Sequence, residues 1–82
     1  MALYFLSYDL RQARNYQPLY DALSSFNAIR ILESTWCFNR INTTATNLRD
    51  HFRNYIDNDD GLIVSEVTNW ASYKTDDNPN NL

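Results

Sequence analysis

In this 82-residue chain the group best suited to chemistry is Asp9, in the run Leu6-Ser7-Tyr8-Asp9-Leu10, followed by Arg11 and Arg14. A carboxylate just past the end of a strand, at the mouth of a polar loop, can hold Mg²⁺, which takes one or two carboxylates plus phosphate oxygens. Guanidinium forks two and five residues further on match phosphate geometry. Asp9 is therefore the metal-ligand and catalytic candidate, and Arg11 and Arg14 are the phosphate-binding candidates. The same spacing also suits a structural aspartate that starts a turn and pairs with a neighbouring arginine.

The other reactive side chains read as structural. His51 falls at the edge of an apolar helix face, where a lone histidine packs more often than it acts as a base. Cys37 alternates with Trp36 and Phe38 in strand chemistry and reads as a buried thiol. Glu33 interrupts an apolar run and could join the metal site, but is rather expected to pair with Arg30 or Arg40. Arg49 and Arg53, one helical turn apart with Asp50 and Asp57 nearby, read as a solvated face. One cysteine and one histidine exclude an internal disulfide and a thiolate–histidine zinc site within one chain, and one glycine cannot build a phosphate loop.

The elements that must position Asp9 follow from periodicity. Leu3 to Tyr8 is rich in β-formers and apolar on both faces, the pattern of a strand covered on both sides. Pro18 suits the first turn of a helix whose apolar face carries Tyr16, Leu19, Tyr20, Leu23 and Phe26, with Asn27 as a left-handed stop. Ala28 to Ile41 is long for one strand and is expected to break near Glu33-Ser34. Asn42-Thr43-Thr44 supplies N-cap residues for a second helix with Leu48, Phe52, Tyr55 and Ile56 on one face. Asp57-Asn58-Asp59-Asp60-Gly61 reads as a turn, with the glycine where a positive φ costs least. Leu62 to Val67 is the last clear strand, and Trp70 and Tyr73 could add a short edge strand.

The order β-α-β-β-α-β, closed by right-handed crossovers, gives an α+β ferredoxin-like sandwich with two helices on one face of an antiparallel sheet. One domain is expected over residues 1–74, with a polar, mobile tail over 75–82. The helices leave one sheet face open, so the surplus aromatics Tyr8, Trp36 and Phe38 are assigned to a face-to-face homodimer interface. Nucleobase stacking on Tyr8 and Trp36 is the other use of such a face. The run Ala2–Leu6 is too short for a signal sequence, and no stretch approaches the roughly 20 apolar residues of a membrane span. A cytoplasmic location with a reduced Cys37 is the simplest expectation.

A hydrophobic fraction of 44% is too high for a disordered chain. A net charge of −3 argues against broad salt-driven nucleic-acid binding. The charge is unevenly spread, however. From Asp9 to Arg53 there are six arginines against four acids, whereas Asp57, Asp59, Asp60, Asp76 and Asp77 cluster in one turn and the tail. A small arginine-lined phosphate site remains compatible with that distribution.

Tyr4-Phe5-Leu6-Ser7-Tyr8-Asp9-Leu10, the arginine-bearing loop, Ile31-Leu32-Glu33-Ser34-Thr35-Trp36 and Asp57-Asn58-Asp59-Asp60-Gly61-Leu62-Ile63-Val64 occur in an order that resembles the small Cas-two family of CRISPR-associated proteins, over roughly residues 2–70. The resemblance implies a ferredoxin-like homodimer with sheets face to face. It implies that Asp9 lies near its twin across the two-fold and shares Mg²⁺ with it, and that Ser34 lies close to this site as a second catalytic residue. Some members of the family are metal-dependent nucleases and others are DNA-binding subunits of the spacer-integration complex. Thr35 and Trp36 depart from the family's usual neighbours of the serine, and the segment that docks the integrase has no match here. A stand-alone, antiviral-defence or mobile-element relative is implied.

Two functions stay open. One is a Mg²⁺-dependent phosphodiester nuclease acting on RNA or single-stranded DNA. The other is a non-catalytic homodimeric module that binds a protein partner or a nucleotide ligand, in a phage-defence or toxin–antitoxin setting.

Overall fold

The structure, a computed structural model, describes residues 1–11 and 15–82. Alternation along β1 (Ala2–Asp9) sends Tyr4, Leu6 and Tyr8 to one face and Leu3, Phe5, Ser7 and Asp9 to the other. Two further strands, β2 (Ile29–Leu32) and β3 (Thr35–Arg40), and a last strand, β4 (Gly61–Val67), complete one sheet among the described residues. Its order is β2-β3-β1-β4 and every pairing is antiparallel. Helices α1 (Gln17–Ser25) and α2 (Ala45–Phe52) make this a small α+β protein, compatible with a ferredoxin-like fold.

Local signals account for the boundaries. Pro18 stands in the first turn of α1, where its missing N–H costs nothing, and Leu19, Ala22 and Leu23 are buried. Asn27 ends the helix in the left-handed region at φ 57°. The long β segment breaks at Glu33-Ser34, a two-residue turn made without glycine, and the register slips between Arg30 and Leu32. Thr44 caps α2: its hydroxyl oxygen accepts from the Asn47 amide at 3.1 Å. That helix ends at Phe52 and tightens into a 3₁₀ turn over Arg53–Tyr55, which leaves Tyr55 exposed and Ile56 half-buried.

The core lies between the helices and one face of the sheet. Tyr4, Leu6, Tyr8, Trp36 and Phe38 from the strands meet Leu19, Leu23, Leu48 and Phe52 from the helices. This corrects the assignment of Tyr8, Trp36 and Phe38 to a dimer interface. Register explains it: Tyr4 faces Phe38 and Leu6 faces Trp36, so all five strand residues point to the helix side. There they are covered within a single chain, at 8%, 9% and 0% exposure for Tyr8, Trp36 and Phe38. Stacking of nucleobases on Tyr8 and Trp36 fails for the same reason.

Two smaller expectations also change. Trp70 and Tyr73 lie in irregular chain and form no edge strand. The segment 75–82, read as a tail with nothing to pack on, returns to the sheet: the Asp76 amide donates to the Ile31 carbonyl at 2.9 Å. A 3₁₀ turn follows over Pro79–Asn81, capped by the Asn78 side chain.

Candidate functional site

Asp9 occupies the last position of β1, opposite Gly61 in the β1–β4 register, and its side chain is 74% exposed. It faces the helix-free side of the sheet, as Ser7 does. The chain leaves the sheet at Leu10, so nothing further along the strand covers this carboxylate.

Arg11 is held beside it by the 57–60 turn. Its backbone amide donates to Asp60 Oδ1 at 3.0 Å, and its guanidinium donates to the Asp59 carbonyl at 3.2 Å and to Asp9 Oδ2 at 3.5 Å. The guanidinium lies across Gly61, so close that a Cβ on this residue would meet Nη2 at 2.8 Å. The glycine is therefore explained by close approach and not by a positive φ, which the chain instead places at Asn27, Asn42 and Lys74. Arg14, the second phosphate-binding candidate, lies outside the described residues.

Asp9 separates two hollows. On the helix-free face, Ser7, Asp9, Arg11, Gly61 and Ile63 line an open groove of about 320 Å³. Toward the β2–β3 turn, Asp9 shares a smaller hollow of about 140 Å³ with Tyr16, Tyr20, Arg30 and Ser34. Asp9 and Ser34 are thus brought to one cavity. The β1 backbone fixes Ser34 there, because the Tyr8 amide donates to its carbonyl at 3.1 Å.

The smaller hollow carries groups that the sequence reading took as structural. Arg30 donates through Nε to the Glu33 carbonyl at 2.9 Å and through Nη2 to the Tyr20 hydroxyl at 3.3 Å, with its guanidinium 5.2 Å from the Tyr20 ring centre. The Tyr8 and Tyr20 hydroxyls are 3.0 Å apart. Burial, with the Tyr20 hydrogen bond next, pushes the Tyr8 phenol up to about 12. Arg30 was expected to meet the Glu33 carboxylate. It meets that residue's carbonyl instead, and a contact of that kind leaves no sequence signal.

The 57–60 turn holds a further donor set. One carboxylate oxygen each from Asp57, Asp59 and Asp60 lies within 4.8 Å of the others. Oxygen donors of this kind suit a hard divalent cation. Asp60 is also bound into the turn, accepting from the Asp57 amide at 2.9 Å.

The remaining candidates settle as packing or surface groups. His51 is exposed and stacks at the helix edge, 5.3 Å from the Phe26 ring and 5.5 Å from Tyr55. Arg49 pairs with Asp50 at 2.9 Å. Arg40 stacks on Phe26 at 3.9 Å and does not pair with Glu33. Cys37 is fully buried, and burial, with the Asp77 carboxylate second, pushes its thiol up to about 11, the opposite of what a nucleophile needs.

No protein-family model matches the chain, and no solved structure matches it. The fold and the site define the class: a small α+β protein with an exposed strand-end carboxylate that has one guanidinium beside it and shares a hollow with a second. Among the described residues no helix is long and apolar enough to cross a membrane.

Proposed function

We propose that this chain is a ferredoxin-like, Cas-two-like homodimeric protein that acts on nucleic acid as a Mg²⁺-dependent phosphodiester nuclease, with RNA or single-stranded DNA as substrate. The observation that carries this reading is Asp9: a strand-end carboxylate, open to solvent on the helix-free face, with Arg11 on one side and the Ser34–Arg30 hollow on the other. Asp9 shares its smaller hollow with Glu33, and a second copy related by a two-fold would add the twin Asp9 to the donors of one cation, which is the place of the homodimer in this reading. Asp9 lies on the part of the sheet face nearest β4, where Ser7 and Ile63 leave the groove uncovered.

The residues fit the cation in type, since an exposed carboxylate with few protein partners keeps its oxygens available. When bound, Mg²⁺ supplies charge neutralisation and activation of water at a phosphodiester. The chain's own groups do the rest. Asp9 fixes the cation, the Arg11 guanidinium faces the phosphate charge, and Arg30 extends the positive edge toward Ser34. The chain's one histidine, His51, packs against Phe26 and Tyr55 and does not line the Asp9 hollows, so turnover is expected to be slow. A cytoplasmic, defence-associated role accompanies this reading.

The experiment is cleavage of labelled single-stranded RNA and DNA with Mg²⁺ and with chelator, for the native chain and Asp9→Ala. Cleavage that needs both Mg²⁺ and Asp9 supports the nuclease. Cleavage that survives in Asp9→Ala removes the site.

One observation favours the second reading, a non-catalytic homodimeric module for a protein partner or nucleotide. Arg11 spends its amide and part of its guanidinium on the acidic 57–60 turn, which weakens its pull on phosphate. An unchanged substrate in the cleavage experiment, together with a specific captured partner, would establish that module.

A further inference from the structure

Two buried apolar residues do not belong to the helix-side core. Ile31 and Cys37 are 5% and 0% exposed, yet neither joins the cluster between sheet and helices. The register places Cys37 opposite Phe5, on the face that carries no helix. Something other than α1 or α2 must cover it.

Among the described residues the C-terminal segment reaches this part of the sheet. It leaves β4 at one edge of the sheet, and its Asp76 amide bonds Ile31 in β2 at the other edge. Three strand spacings separate those edges, roughly 14 Å, and the nine residues 68–76 span up to about 30 Å when extended. The crossing is placed over the helix-free face by Cys37, which is fully buried on that face, and by the Asp76 bond to Ile31 in the strand beside it. Trp70, Thr75, Asp77, Asn78 and Pro79 are each half-buried along this path. Asp77 in turn is locked by the Asn78 amide at 2.8 Å and by the Asn81 side chain.

We infer that residues 68–82 form a displaceable strap that closes the β2–β3 half of the helix-free face within one chain and competes with a second copy for it. The strap is largely polar, and among the described residues one backbone hydrogen bond anchors it to the sheet edge, whereas β1 is paired on both sides. Segments with few apolar contacts open at lower free energy than the central strands of a sheet. The β1–β4 half, with Ser7, Asp9 and Ile63, stays uncovered whether the strap is closed or lifted. The inference stands apart from any nuclease activity, and its self-association arm alone rests on the homodimer proposed above.

The sole cysteine reports the strap directly. In the full chain, kept monomeric by dilution and checked by light scattering, Cys37 is challenged with an aryl disulfide while amide exchange is followed at Asp76 and Leu6. Cys37 and Asp76 should open together, at least about tenfold more often than Leu6. The inference is overturned if Cys37 reacts as in denatured chain, or only at the rate of the Leu6 amide. A chain ending at Lys74, and full-length Asp76→Pro, should each raise the Cys37 rate about tenfold or more and tighten self-association by a similar factor, with the fold retained. Folded variants with the thiol still protected, or with unchanged self-association, overturn it as well. If neither variant folds, the full-chain comparison decides.

Discussion

The guanidinium of Arg11 lies against Gly61, with Nη2 2.8 Å from the place a Cβ would occupy. The contact ties the loop after β1 to the first residue of β4 and sets where a positive charge stands beside Asp9. Gly61→Ala should displace only the far end of a side chain that is 59% exposed, so the stability change should stay within about 1 kcal/mol. Thermal melts check this. A loss well beyond that range would mean that the guanidinium cannot move aside.

Phe38 belongs to the core of a single chain and not to an interface. It is fully buried, stacked 5.9 Å from Tyr4 and edge-on to Phe26 at 5.2 Å. Phe38→Ala should cost about 3–5 kcal/mol, a large share of the stability of a domain this small. Denaturant unfolding at several protein concentrations checks it. A loss that disappears when the protein is concentrated would return Phe38 to an interface.

The Tyr8 phenol gives a pH signature. Its folded pKa of about 12 lies above the ordinary 10.0, so the neutral form is favoured in the native state. Its contribution is fully present below pH 10 and is lost as pH rises through about 12. Melting temperature should fall over that window, and less steeply in Tyr8→Phe. The same variant should lose about 1 kcal/mol at neutral pH, because the hydroxyl links Tyr20 to the Glu33 carbonyl.

The cap of α2 is a fourth test. Thr44→Ala removes the oxygen that accepts the Asn47 amide and should cost about 1 kcal/mol, while Thr44→Ser should cost less. Equal losses for both would show that the methyl group and not the cap matters.

Where local chemistry decides, the elements were legible in the residues. Pro18, Asn27 and Thr44 mark helix ends because each acts on the nearest backbone groups, and the break at Glu33-Ser34 follows from strand length. The faces of the sheet were not legible. A strand apolar on both sides shows that both are covered, but not by what, and Tyr8, Trp36 and Phe38 were sent to the wrong side of that ambiguity. The strap was hidden for a related reason: a segment rich in Asp and Asn carries no apolar periodicity, and its anchor is a backbone amide. Asp9 stood out by type and position, and its nearness to Ser34 came only with the family resemblance. Arg30 and Tyr20 were hidden because a carbonyl acceptor such as that of Glu33 is common to every residue.

The central claim is that Asp9 works with Mg²⁺ on a phosphodiester. Its most direct test is the rate of single-stranded RNA and DNA cleavage with and without Mg²⁺, for native protein and Asp9→Ala purified in parallel. The account predicts slow cleavage that chelator abolishes and that falls by about a hundredfold or more in Asp9→Ala, with an unchanged melting temperature. Equal cleavage by both proteins, or none by either at any Mg²⁺ concentration, would contradict it.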